Sequence, residues 1–174
     1  MSDTRVETLR QALKFEEDGK AYYESARDKT NNQMGKKLFE FLIKAEDSHI
    51  EKIKKLFQRL EQTGKWPEMI PTRGHGDAAS NIFSEALKSV GEKVKGTTDD
   101  LQALKLALAM ESKGKKFYEA RAEATEDQFE KKFYFLLAHE EGEHFVSILD
   151  TLQYLEDPGA YFHQMELSKG YTAL

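Results

Sequence analysis

The motif Glu-x-x-His occurs twice in this chain, as Glu46-Asp-Ser-His49 and Glu141-Gly-Glu-His144, with the copies 95 residues apart. Glu16 and Glu111 are separated by the same 95 residues. An α-helix turns about 100° per residue, so positions i and i+3 share a face, and each motif can aim one oxygen and one nitrogen at a single point. Two helices carrying such motifs, with one glutamate from each of two others, build a di-metal carboxylate constellation inside a four-helix bundle. A single Glu-x-x-His reads most simply as a solvated helix face. Two in register, each with an upstream glutamate in register, demand a common centre.

The register extends well beyond these residues. Leu9, Ala12, Leu13, Glu16, Gly19, Lys20, Tyr23 and Glu24 recur as Leu104, Ala107, Leu108, Glu111, Gly114, Lys115, Tyr118 and Glu119. Lys36, Lys37, Leu42, Glu46, His49 and Ile53 recur as Lys131, Lys132, Leu137, Glu141, His144 and Ile148. This period is far longer than that of a solenoid, and describes a duplicated helical hairpin with pseudo-twofold symmetry.

Helical periodicity runs over roughly Thr4–Lys29, Gln33–Gln62, Asp99–Ala124 and Asp127–Glu156. Thr30-Asn31-Asn32 and Thr125-Glu126 are short turns, so consecutive helices pair as antiparallel hairpins. Gly64 and Pro67 stop the second helix, and Thr97-Thr-Asp-Asp100 offers N-caps for the third. Between the halves, residues 63–98 form a crossover long enough to travel the length of a bundle. Its Pro- and Gly-containing part, Gly64–Ser80, reads as loop. A short helix over about Asn81–Lys95 presents Phe83, Leu87, Val90 and Val94 at a-and-d spacing. Asp157-Pro158-Gly159 breaks the last helix, leaving a short tail over 157–174 in which Tyr161-Phe162 folds back onto the bundle and which does not clearly offer a fifth helix. The expected architecture is all-α: one domain over 1–174, with repeat halves at about 4–62 and 99–156.

Composition narrows the chemistry. The chain has no cysteine, which removes thiolate metal sites, iron–sulfur clusters and cysteine catalysis. A net charge of −5 argues against general affinity for nucleic acid or an anionic membrane. No run of about 18 apolar residues offers a membrane span. The first residues lack a signal-peptide core, so the expected location is the cytoplasm.

Glu-x-x-Gly-x-x-aromatic-Tyr followed by Glu-x-x-His, present twice, resembles the rubrerythrin branch of the ferritin-like di-iron proteins over nearly the whole chain. The resemblance implies a ferritin-like bundle of two hairpins joined by one long crossover. It implies metal ligation by Glu16, Glu46 and His49 from the first half and by Glu111, Glu141 and His144 from the second. Glu46 and Glu141 would bridge two metals, Glu16 and Glu111 would be terminal, and each histidine would bind one metal. Four carboxylates would then balance two divalent ions. Oxygen-rich ligation with one imidazole per metal suits iron, with manganese or a mixed pair as substitutes. Tyr23 and Tyr118 lie seven residues, nearly two full turns, after Glu16 and Glu111. On that shared face a phenol can hydrogen-bond a ligand carboxylate; plain core packing is the alternative. Gly19 and Gly114, costly inside helices, imply close helix approach or space beside the metals.

The implied activity is reduction of hydrogen peroxide, or dioxygen, in oxidative-stress protection. Two ferrous ions would supply both electrons, and a tyrosine a proton. The sequence departs from rubrerythrin in two ways. It has no cysteine-bound rubredoxin iron, so electrons must come from a separate donor such as a rubredoxin-type protein. The additional glutamate three residues after the third-helix ligand is replaced by Gly114. The competing functional class is a ferroxidase for iron storage or delivery; a metal-free scaffold would have to bury four glutamates. A homodimer is expected from the resemblance and from the apolar Trp66–Ile70 segment, which covers a bundle end or a partner chain. His139, Glu140 and Glu143 crowd the fourth-helix motif, but their repeat mates are Lys44, Ala45 and Ser48, so the symmetric pair is preferred. His75 and His163 read as non-ligands.

Overall fold

A computed structural model describes residues 4–69 and 95–171. Five helices form, and no strand occurs among the described residues: α1 (Thr4–Lys29), α2 (Gln33–Thr63), α3 (Thr98–Ala124), α4 (Gln128–Glu156) and α5 (Pro158–Tyr171). α1 packs along α2, and α3 along α4; α2 then meets α4, and α1 meets α3. This is the ferritin-like bundle of two hairpins. The short helix expected over about Asn81–Lys95 lies outside the described residues, apart from Lys95, which is not helical.

Local chemistry sets the ends. Asn32 caps α2 by accepting from the Gly35 amide. α2 stops where Gly64 adopts φ 66°, a left-handed conformation that glycine enters without a Cβ penalty. Thr97 and Asp100 form a reciprocal capping box at the start of α3. Asp127 caps α4 through the Glu130 amide.

The bundle interior is layered. One apolar cluster gathers Tyr23, Met34, Phe39, Leu104, Ile148 and Leu155, among others, and the second gathers Leu9, Ile53, Trp66, Tyr118, Phe133 and Leu137. The in-register glutamates and histidines lie between them in sequence on each of α1–α4. Trp66 covers a bundle end, buried and stacked on Phe129 with ring centroids 5.5 Å apart. Met69 is exposed, and Ile70 lies outside the described residues.

The C-terminal tail departs from expectation. It forms α5 where Asp157-Pro158-Gly159 reads as a simple breaker. Pro158 ends α4 but also occupies the first position of a new helix, where its fixed φ fits and no amide is needed. Asp157 serves both helices. Its amide donates to Gln153 O at the end of α4, and its Oδ1 accepts from the amides of Gly159 and Ala160. Tyr161 and Phe162 fold back as expected, each meeting Tyr154 edge-on.

Candidate metal centre

The inward stripe of α1 runs Leu9, Ala12, Glu16, Gly19, Tyr23, Ala26, in alternating steps of three and four. α3 repeats it through Leu104, Ala107, Glu111, Gly114 and Tyr118, and then steps four residues to Ala122 rather than three. This spacing keeps one face on the bundle axis and carries the glutamates inside with their apolar neighbours. On α2 and α4 the same spacing carries Glu46 with His49 and Glu141 with His144. All six residues are only 1–4% exposed.

The structure brings these six residues together as two overlapping groups. One atom each from Glu16, Glu46, His49 and Glu141 lies within 4.8 Å of the others, and the same holds for Glu46, Glu111, Glu141 and His144. Glu46 and Glu141 belong to both. His49 Nδ1 lies 3.1 Å from Glu16 Oε2, 3.3 Å from Glu141 Oε1 and 3.7 Å from Glu46 Oε2. His144 Nδ1 is 3.6 Å from Glu111 Oε2. The two imidazoles stack with centroids 5.7 Å apart.

The tyrosines cross between hairpins. Tyr23 on α1 donates to Glu111 Oε1 on α3 at 2.5 Å, and Tyr118 on α3 donates to Glu16 Oε1 on α1. Helical phase puts each phenol on its own glutamate's face, yet the partner it reaches is the glutamate opposite. Burial, with the neighbouring carboxylate charges, pushes both phenols well above the ordinary tyrosine range, so they remain neutral donors.

The carboxylates divide by position. Burial raises Glu46 and Glu141 well above the usual range, and the charges of Glu16 and Glu111 raise them further. Burial also pushes Glu16 and Glu111 upward. That push is outweighed at Glu16 by the charge of His49 and at Glu111 by the charge of His144, with hydrogen bonds adding to both, so these two are lowered. Burial opposes charge on His49, but Glu16 and the hydrogen bond to Glu140 hold it well above its ordinary value. In the metal-free fold these shifts favour the protonated form of the two carboxylates common to both groups and the charged form of His49.

Four cluster atoms are buried with no hydrogen-bond partner among the described residues: Glu46 Oε2, Glu111 Oε2, Glu141 Oε1 and His144 Nδ1. A stranded buried polar atom costs about 1–3 kcal/mol. Cations at the cluster would satisfy all four. Buried carboxylates with one imidazole per group fit a di-iron or similar metal site.

The glycines make room for the carboxylates. A Cβ at Gly19 would rest 3.6 Å from Glu46 Oε1, an ordinary contact. At Gly114 it would fall 2.7 Å from the Phe15 ring and 2.9 Å from Glu141 Oε2, too close for either. Phe15 and Glu141 take the space beside Gly114.

Repeat symmetry conceals the position of Glu140. His49 Nε2 meets Glu140 Oε2 at 2.6 Å, and Lys52 Nζ lies 3.0 Å from the same oxygen. Burial pushes Glu140 up, but the hydrogen bond and charge of His49, with Lys52, hold it at about 2. Its repeat mate is Ala45, so no internal symmetry flags it; position 140 on α4 becomes informative only once α4 is known to pack on α2. His139 and His163 are exposed and His75 lies outside the described residues.

The Rubrerythrin family model matches residues 7–87. The match takes in Glu16, Glu46 and His49, and the internal repeat carries the pattern into the second half. No curated protein and no solved structure matches the chain.

Proposed function

We propose that this rubrerythrin-like member of the ferritin-like superfamily is a di-iron carboxylate oxidoreductase that reduces hydrogen peroxide, or dioxygen, with electrons from a separate donor, in protection against oxidative stress. The observation that carries the reading is the buried pair of Glu/His groups sharing Glu46 and Glu141. Two ferrous ions bound there would supply both electrons for cleaving a peroxide O–O bond.

The chain's own contribution follows from its geometry. Glu46 and Glu141, common to both groups, would contact both ions. Glu16 and Glu111, each in one group and each bonded by a tyrosine from the opposite hairpin, would each hold one ion. His49 and His144 turn Nδ1 inward. Tyr23 and Tyr118 keep protons on atoms that touch Glu111 and Glu16, so a proton is held within the site while charge changes there. Apolar clusters on both sides keep bulk water from the carboxylates. This sequence contains no cysteine and so supplies no iron–sulfur or rubredoxin relay of its own, which supports a separate donor of reducing equivalents.

Anaerobic reconstitution with ferrous iron, followed by stopped-flow mixing with peroxide or with dioxygen, tests the proposal. The expected result is two irons per chain, faster oxidation by peroxide, and turnover only with an external reductant. Faster oxidation by dioxygen, with iron accumulating well beyond two per chain, would replace it with ferroxidase storage.

A further inference from the structure

We propose that Glu140 is a positioning residue that makes the two metal positions unequal, holding His49 in its ligating orientation and so making the His49 position the tighter one. The inference rests on the metal reading above and deepens it.

The two halves match at all six cluster residues but not around the histidines. Nε2 of His49 is tied to Glu140, and Glu140 is held in turn by Lys52, whose Nζ reaches both carboxylate oxygens at 3.3 and 3.0 Å. This leaves Nδ1 facing Glu16, Glu46 and Glu141. A carboxylate on the outer nitrogen of a ligating histidine fixes ring orientation and raises ligand basicity. The repeat mates of Glu140 and Lys52 are Ala45 and Ser147, so the second half has neither the carboxylate nor the lysine. The described environment of His144 has instead the Phe41 ring, edge-on at 5.8 Å. Among the described residues the outer side of His144 meets this ring, where that of His49 meets a charged hydrogen bond. Glu140 is itself outside both ligand groups and is 26% exposed, so its replacement leaves the core intact.

The test is titration of metal-free protein with Co2+, followed by calorimetry and by the visible absorption of the bound ion. The wild type is expected to bind in two unequal steps. Loss of an orienting partner of this kind costs about 10–100-fold in metal affinity. Glu140→Ala should weaken the tight step by that factor and bring the steps together, while Glu140→Gln, which keeps an acceptor, should fall between. Ala45→Glu places a carboxylate at the equivalent position on the other side and should tighten the weak step. Helix content of each variant should match wild type by circular dichroism. Two equal steps in the wild type, or a tight step within about twofold of wild type in Glu140→Ala, would overturn this assignment and leave the metal site standing. A wild-type chain that takes up no Co2+ would overturn the metal reading itself, and this assignment with it.

Discussion

Single side chains decide how this cluster tolerates the absence of metal. Glu46 and Glu141 have raised pKa values in the fold, as does His49. A group raised on folding favours the folded state fully below its unfolded pKa, and that contribution is lost as pH rises through the folded value. The windows open at about 4.5 for the carboxylates and about 6.5 for the histidine, the ordinary values. Metal-free protein should therefore melt at a lower temperature near pH 8 than near pH 5.5, with bound metal reducing the difference; a flat profile in thermal melts would argue against the assigned protons. The lowered Glu16 and Glu111 act oppositely, but only as pH falls below about 4.5, outside that comparison. The glycines give a second expectation. Gly114→Ala should destabilise by about 1–3 kcal/mol, because Phe15 and Glu141 must move. Gly19→Ala meets only an ordinary contact and should be neutral or gain about 0.5–1 kcal/mol in denaturant titrations. Sequence shows both glycines as costly and alike. Their difference lies in Phe15, whose repeat mate is Met110, and no helical pattern reveals which side chain leans into a neighbouring groove. The tyrosine pairing has the same origin: phase gives the face, and packing gives the partner. Tyr23→Phe and Tyr118→Phe should leave metal content near normal and slow oxidation in stopped flow if the phenols hold the transferable proton.

Whole elements were the most legible part of the chain. The bounds of α1–α4 follow from periodicity, from caps such as Asn32, Thr97 and Asp127, and from Gly64, all of which act within a few residues of sequence. α5 was hidden because Pro-Gly ends one helix and can equally begin the next. The deciding feature is Asp157, whose side chain receives the two amides that Pro158 leaves exposed behind it. Asp157→Ala should cost α5 about 1 kcal/mol. Amide exchange in α5 should then rise by about fivefold, with α1–α4 unchanged; unchanged exchange in α5 would mean that the Tyr154–Tyr161–Phe162 contacts alone hold it. Glu140 marks a different limit. Comparing halves finds what the halves share, so a residue whose value lies in having no mate is discarded by the comparison that finds its neighbours.

At the scale of the molecule, the site belongs to neither hairpin. Glu46 from α2 and Glu141 from α4 serve both ligand groups. Glu46→Ala and Glu141→Ala should each weaken metal at both positions, whereas Glu16→Ala should empty chiefly one, as read by metal content after reconstitution. Loss of a single metal in each of the first two would overturn the bridging roles. Each tyrosine grips the glutamate of the other hairpin, so this repeated contact crosses the pseudo-twofold axis. Two identical hairpins arranged about a true axis would make it twice, with two shared carboxylates between facing histidines. A pair of identical half-length chains could therefore present the same six residues about a true axis. Within one chain the halves need not match: position 140 is glutamate where position 45 is alanine, and position 15 is phenylalanine where position 110 is methionine. A strictly symmetric pair would offer two equivalent positions; a single chain is free to make them differ.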